Sequence, residues 1–310
     1  MPLISIIIPM RNAEAFIDET LRGLRAQKDV EIEIIVIDDG STDRGPAIVK
    51  DHASRDPRVR IISGPQRGIS AAFNAGLAEA RGELLCRCDA DDLYPHERLV
   101  QQLAWLDAHS DHIAVTGGYA TVTAGGKLVD EFVVRDGTID ITDELLAGRG
   151  RSHVCAYLFR TEALRRLDGC REYFETSEDA DLQFRLAELG SIGYQPVVMY
   201  FYRLHDASIT HRVRSARREF FARTAVAFAQ QRRETGQDDL MRGTPPVPPI
   251  GGGSAGQSTR RQVQKMLIGR AWKEHRSGRR WPAVATGLRA AMIRPLSLDV
   301  WKSVVSLMIK

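Results

Sequence analysis

Two nearly uninterrupted β-branched runs constrain this chain more than any other feature. Ile4-Ser5-Ile6-Ile7-Ile8 and Ile32 to Ile37 lack the alternation of a half-exposed strand, so each reads as a strand covered on both faces. Between them Phe16, Ile17, Leu21 and Leu24 fall at helical spacing, after Asn12, which is expected to cap that helix. The pattern then repeats. Asp38-Asp39-Gly40-Ser41 forms a turn into a second helix, Arg58 to Ser63 a strand, Ile69 to Ala80 a helix, and Glu83 to Cys88 a fourth strand. Alternation of strand and helix through the first 110 residues predicts an open parallel sheet with helices on both faces. Sheets of this kind bind ligands beyond the C-terminal ends of their strands. Arg11/Asn12, Asp38/Asp39 and Asp89/Asp91 all fall at that edge, so three turns distant in sequence are expected to converge on one cleft.

The second half is more mixed. His112 to Ala124 and Lys127 to Arg135 read as strands joined at Gly125-Gly126, a hairpin signal. Val154 to Arg160 reads as a strand leading into a helix from Thr161, Glu178 to Leu189 as a helix stopped by Gly190, and Tyr194 to Tyr202 as a strand. A long helix, Arg214 to Arg233, precedes Gly243 to Gly256, whose prolines and glycines suit a linker. Past it lie two or three short basic amphipathic helices. The expected organisation is a catalytic domain over 1–235, a linker over 236–258 and a basic helical tail over 259–310.

Charge sharpens that division. From Thr259 onward there are 12 Lys and Arg against 2 Asp and Glu, a local +10, so the rest of a chain whose net charge is +3 carries −7. With Trp272, Trp281 and Trp301 in the same segment, the tail suits an anionic membrane surface or, alternatively, packing of its tryptophans on the catalytic domain. Nucleic acid is not an expected partner: no recognised module is present and the cleft is acidic. Cys86, Cys88, Cys155 and Cys170 are too few and too scattered for a disulfide framework, and buried reduced thiols are expected. No basic segment followed by an apolar stretch opens the sequence, and no window approaches about 18 apolar residues. A cytoplasmic protein, peripheral at the inner face of the plasma membrane, is the expectation.

The chemistry concentrates in Asp89-Ala90-Asp91-Asp92, where a short apolar strand runs into three carboxylates. Like charges a few Å apart raise each other's pKa unless a cation joins them. Oxygen ligands favour hard ions such as Mg²⁺ or Mn²⁺, and few protein carboxylates leave positions for substrate phosphates. The bland alternative is a solvated acidic turn.

The ordered set Ser5-Ile6-Ile7-Ile8-Pro9-Met10-Arg11-Asn12, Asp38-Asp39-Gly40-Ser41-Thr42-Asp43, Gly68 through Gly76, Asp89-Ala90-Asp91-Asp92, Glu178-Asp179-Ala180-Asp181-Leu182 and Tyr202-Arg203-Leu204-His205-Asp206-Ala207-Ser208 resembles the family 2 glycosyltransferases, over roughly residues 3 to 210. The resemblance implies an α/β GT-A fold: a Rossmann-like nucleotide-binding mixed sheet flanked by helices, here with a C-terminal helical appendage. It implies a metal-dependent inverting transfer of a sugar from a nucleotide-sugar, a UDP-sugar, to a saccharide or lipid-linked acceptor in surface polysaccharide biosynthesis. The implied donor site comprises Pro9, Arg11, Asn12, Glu14, Asp38, Asp39, Gly68, Asn74, Asp89, Ala90 and Asp91. Within it Asp39 suits the N3–H of uracil, while Arg11 replaces an aromatic that often stacks on the base. Mn²⁺ or Mg²⁺ would be held by Asp91, Asp89 and His205. Asp179 would be the general base, at a helix start that favours its ionised form, with Glu178 beside it. Asp181 and Arg185 read as a structural ion pair. Acceptor contacts are expected from Gly148 to His153 and from Tyr173, Phe174 and Thr176, with Arg149 and Arg151 either on an acceptor phosphate or in a solvated loop. The alternatives are a sugar nucleotidyltransferase or an inactive membrane-bound binding subunit.

Overall fold

The computed structural model describes residues 1–206, 215–250 and 258–309. The two β-branched runs become β1 (Leu3–Met10) and β2 (Glu31–Asp38), paired in parallel with Ile4 opposite Ile32 and Met10 opposite Asp38. Their isoleucines and Val36 are at most 4% exposed, so these strands are covered on both faces as their composition requires. The polar residues within them are matched: Ser5 Oγ donates to Glu33 Oε1 at 2.6 Å, and the Arg81 amide donates to the same carboxylate. β3 (Val59–Ser63) and β4 (Leu84–Arg87) extend the parallel sheet on either side, and α1 (Ile17–Arg25), α2 (Gly45–Arg55) and α3 (Ile69–Glu79) make the crossovers. Asn12 does not cap α1. It lies outside the helix at φ 55°, a left-handed conformation Asn tolerates, and its side chain is used by the next loop.

Beyond α4 (Arg98–Ala108) the sheet becomes mixed. β5 (His112–Thr123) and β6 (Leu128–Phe132) form the expected hairpin, and β7 (Leu158–Arg160) inserts antiparallel between β4 and β5. The order is β3-β2-β1-β4-β7-β5-β6, with β8 (Ser191–Leu204) also pairing β5. The strand expected from Val154 starts instead with a 3₁₀ turn, Val154–Ala156, which the His153 side chain caps through the Cys155 amide. After α5 (Thr142–Leu146) and α6 (Thr161–Arg166) comes α7 (Glu178–Leu189), ended by Gly190 as its sequence predicts. α8 (Ser215–Thr235) follows. All four cysteines are buried and free.

The chain divides into two compact units whose boundaries cut across chain order. The first holds Met1–Tyr119, Phe132–Phe201 and Ala216–Ile250. Part of the expected linker therefore belongs to it. Asp238 is fully buried between Arg171 at 2.5 Å and Arg232 at 2.6 Å, and Tyr173 Oη donates to the Pro246 carbonyl. Gly251 to Gly253 of that linker lie outside the described residues.

The second unit joins the tip of the β5–β6 hairpin, Ala120–Glu131, and the end of β8 to α9 (Thr259–Arg276), α10 (Arg280–Ile293) and α11 (Leu298–Ile309). Its core sets Val129 and Leu204 against Val263, Leu267, Ala290, Ala291, Val300 and Val304. Small residues let α10 approach closely; a Cβ on Gly287 would sit 3.1 Å from Leu307. Among the described residues no helix is long and apolar enough to cross a membrane.

Candidate active site

The parallel register brings Met10, Asp38 and Ser63 level at the C-terminal edge of the sheet, with Arg87 ending the adjacent β4. The turns after β1 and β2 are stitched together there. The Asn12 amide donates to Ser41 Oγ, while Asn12 Oδ1 accepts from the Thr42 amide at 2.7 Å. The Glu14 amide donates to Asp43 Oδ2, and Glu14 Oε2 accepts from Arg44. Asp38 Oδ1 closes its own turn by accepting from the Ser41 amide. Asp39, 4% exposed, accepts from the Gln66 amide at 2.6 Å and the Gly68 amide at 2.9 Å, one on each carboxylate oxygen. Each oxygen keeps a second lone pair for a ligand donor. Gly68, at φ 95°, turns the chain into α3 in a conformation glycine adopts without strain. Pro9 is a buried strand residue and Arg11 is exposed.

The acidic turn after β4 separates into scaffold and chemistry. Asp92 is fully buried and accepts from Tyr200 Oη at 2.6 Å, and the same hydroxyl accepts from the Asp89 amide at 3.1 Å. Thr20 Oγ1 donates to the Ala90 and Asp92 carbonyls, and Tyr94 Oη to that of Arg87. So braced, the turn leaves Asp89 and Asp91 only partly buried.

Arg87 joins this turn to the start of α7. It is 3% exposed, and its Nε lies 2.8 Å from Asp89 Oδ1 while its Nη1 lies 3.2 Å from Glu178 Oε1. Burial opposes ionisation of Asp89, but Arg87 and then His153 outweigh it and hold the carboxyl below its usual range. Glu178 goes the other way: burial, aided by the charge of Asp179 and opposed by Arg87, pushes it up to about 7. Asp179 follows in the first turn of α7, half-exposed, its Oδ1 accepting from the Ala180 amide. Ser177 before the helix is left-handed, at φ 65°, a backbone outlier that sets where the two carboxylates emerge. Asp181 and Arg185 form the expected ion pair at 2.8 Å, inside a buried network with Arg171, Arg232 and Asp238.

Several expected site residues have other work. Asn74 is a brace: its Nδ2 donates to the Cys170 carbonyl and its Oδ1 accepts from the Cys170 amide, both at 2.8 Å. Arg151 is neither solvated nor free for a phosphate, being paired with Glu144 and Asp136 at 11% exposure. Phe174 is buried against Phe221 and Phe228 of α8, and Tyr173, half-buried, packs on the same rings. His205, just past β8, falls in the second unit, and Ala207 and Ser208 of its motif lie outside the described residues. Sequence reasoning missed Arg87 and Tyr200. A lone arginine between two cysteines in a buried strand was the available signal for the first; nothing local marked the second.

A divalent ion fits this donor set in a limited way. Among the described residues no three His, Cys, Asp or Glu side chains form a metal-holding group. Asp89, kept ionised by Arg87, and Asp91 suit an ion completed by substrate phosphates.

The family model for glycosyl transferase family 2 matches residues 5–167, which include β1, the Asp38/Asp39 turn and the acidic turn. The chain belongs to this family. Its relatives include the putative glycosyltransferase EpsH of Bacillus subtilis, 29% identical over 68% of this chain and 63% of the relative, and the uncharacterized glycosyltransferase EpsJ of the same organism, 39% identical over 38% and 33%. The chain thus spans about one third to two thirds of these curated relatives. Among solved structures, S. aureus TarS 1–349 in complex with UDP-GlcNAc superposes with a TM-score of 0.60 at 18% identity, covering 98% of this chain and 88% of TarS 1–349. A mannosyltransferase from Pyrobaculum calidifontis, in complex with GDP-Man and Mn²⁺, gives 0.56 at 20% identity, covering 100% and 86%. At such identities the likeness establishes a shared glycosyltransferase fold, the GT-A architecture of a mixed sheet flanked by helices.

Proposed function

We propose that this family 2 chain transfers a sugar from a nucleotide-sugar, a UDP-sugar, to a hydroxyl of a saccharide or lipid-linked acceptor, with inversion, in cell-surface polysaccharide synthesis. The observation that carries the reading is Arg87, which holds Asp89 of the donor-side turn and Glu178 beside Asp179 within one buried ion-paired group. Asp39 receives the N3–H of the base on its remaining lone pairs, and the braced 11–14 and 39–44 loops shape the cleft for the nucleoside. Asp91 and Asp89 would hold Mn²⁺ or Mg²⁺, with substrate phosphates completing its ligands, and its charge when bound would neutralise the diphosphate. Asp179 accepts the acceptor hydroxyl's proton as its oxygen attacks the anomeric carbon opposite the departing nucleoside diphosphate. Glu178, held by Arg87, orients Asp179 or the acceptor. Complexes of fold neighbours with UDP-GlcNAc and GDP-Man support a nucleotide-sugar donor. The enzyme would work in the cytoplasm, with its basic tail at the inner membrane face.

The test is a screen of UDP- and GDP-sugars for release of the nucleoside diphosphate with Mn²⁺ or Mg²⁺. The expected result is metal-dependent UDP release that Asp91→Ala abolishes while its circular dichroism stays native. Pyrophosphate release from UTP would establish a nucleotidyltransferase instead, and binding without turnover an inactive subunit.

A further inference from the structure

The second unit leaves a large part of its apolar surface outside its own core. On α11 the core takes Val300, Val304 and Leu307, each at most 9% exposed. At about 100° per residue these span an arc of about 60°. The adjoining arc of about 100° is also apolar, yet Leu298 is 75% exposed, Val305 50%, Met308 57% and Ile309 78%. Trp301 lies in the same arc, 39% exposed. α10 repeats the arrangement. Ala283 and Ala290 face the core, while Trp281, Leu288 and Met292 stand out at i, i+7 and i+11, with Trp281 84% exposed. Leu296 in the connecting turn is 96% exposed. An exposed apolar stripe along each of two neighbouring helices marks a contact site.

Charge says what the contact is. Arg280, Arg289, Arg294 and Lys302 are exposed beside the stripes, against Asp299 alone on the acidic side of the two helices. The whole segment from Thr259 carries +10. A second copy with the same charge would be repelled, whereas an anionic lipid surface attracts each basic residue and accepts apolar side chains below its headgroups. Trp301 is prepared for that environment. Its indole Nε1 already donates to the Pro295 carbonyl at 2.8 Å, so the ring can leave water without stranding a donor.

We propose that the α10–α11 hairpin lies flat on an anionic bilayer, with its two exposed stripes sunk to the headgroup boundary and its cations over the lipid phosphates. This deepens the proposed placement of the basic tail at the membrane, and it suits an enzyme whose acceptor is lipid-linked. It does not depend on turnover.

The test is flotation of the full-length protein with vesicles of phosphatidylcholine alone or with about 30% phosphatidylglycerol, the anionic charge that basic segments sense. Binding should be at least tenfold stronger to the anionic vesicles at low salt and largely lost near 1 M salt, where the Debye length is about 3 Å. Leu298→Ser/Val305→Ser/Met308→Ser should bind at least tenfold more weakly with an unchanged melting curve, its sites being exposed. Brominated acyl chains should quench tryptophan fluorescence in the unaltered protein, and Trp281→Phe should remove part of that quenching. Equal binding to neutral vesicles, or no quenching, overturns the proposal. So does a concentration-dependent dimer that ignores vesicles and that the triple variant dissociates. Vesicle binding without sugar transfer would leave the membrane contact standing and remove the transferase reading; transfer without vesicle binding would do the reverse.

Discussion

Replacing Arg87 by methionine removes the cation that bridges Asp89 and Glu178 while keeping a side chain of similar length in a site 3% exposed. Removing one partner of a buried ion pair costs about 3–5 kcal/mol, because the remaining charge has left water without compensation. Two carboxylates lose their partner here, but Glu178, already pushed up to about 7, can take a proton and shed its share. The expected loss therefore stays within about 3–5 kcal/mol, a large part of the roughly 5–15 kcal/mol that holds a domain folded. At about 2–4 °C per kcal/mol the melting temperature should fall by about 6–20 °C. The loss should also depend on pH. Without Arg87 both folded-state carboxyls rise above their unfolded values, so the variant recovers stability as pH falls and loses it as pH rises through the raised folded values. Urea denaturation at pH 7.5 and pH 5.5 should show a wider gap from the unaltered protein at the higher pH. Arg87→Met/Glu178→Gln should lose less than the two single changes predict, by about 0.5–3 kcal/mol of coupling. A loss under about 1 kcal/mol, or one independent of pH, would refute the bridging role.

Asp179→Asn should keep donor affinity near normal and lower turnover roughly 10²-fold or more, since it removes proton acceptance alone; equal loss of donor binding in calorimetry would make Asp179 a donor-site residue. Gly193→Ala drives a Cβ into the Trp105 ring, so it should cost about 1–3 kcal/mol through overpacking and lower the melting temperature; an unchanged melt would show that the ring yields. Asp56 is held well below the usual carboxylate range by Arg58 and Arg25, against its burial. Its stabilisation is thus present above about pH 4 and fades below it, and Asp56→Asn should converge on the unaltered protein in acid. A gap that stays constant down to pH 2 would contradict that assignment.

Features set by composition within one segment were legible in the sequence, although the Asn12 cap and the strand from Val154, read in the same way, did not form. The continuous isoleucine runs of β1 and β2 can satisfy their apolar faces only inside a covered sheet, and that sheet is what they form. α7 starts at Glu178 and stops at Gly190 because the apolar spacing and the glycine are local properties. The Asp89-Ala90-Asp91-Asp92 turn was legible as a dense acidic turn at the end of a buried strand, which is where the structure puts it. Tertiary structure decided which polar groups remain for chemistry, since a buried donor or charge is matched by whatever the fold brings beside it. Asp92 goes to Tyr200, 108 positions away, and so serves as a buried brace of its turn, while Asp89 and Asp91 stay partly exposed. Arg87 reaches Glu178 across 91 positions, and Asn74 is drawn off to Cys170 across 96. The composition of the tail marked it as basic and aromatic. Only the packing of Val300, Val304 and Leu307 showed which side of α11 the core uses and which apolar side it leaves outside.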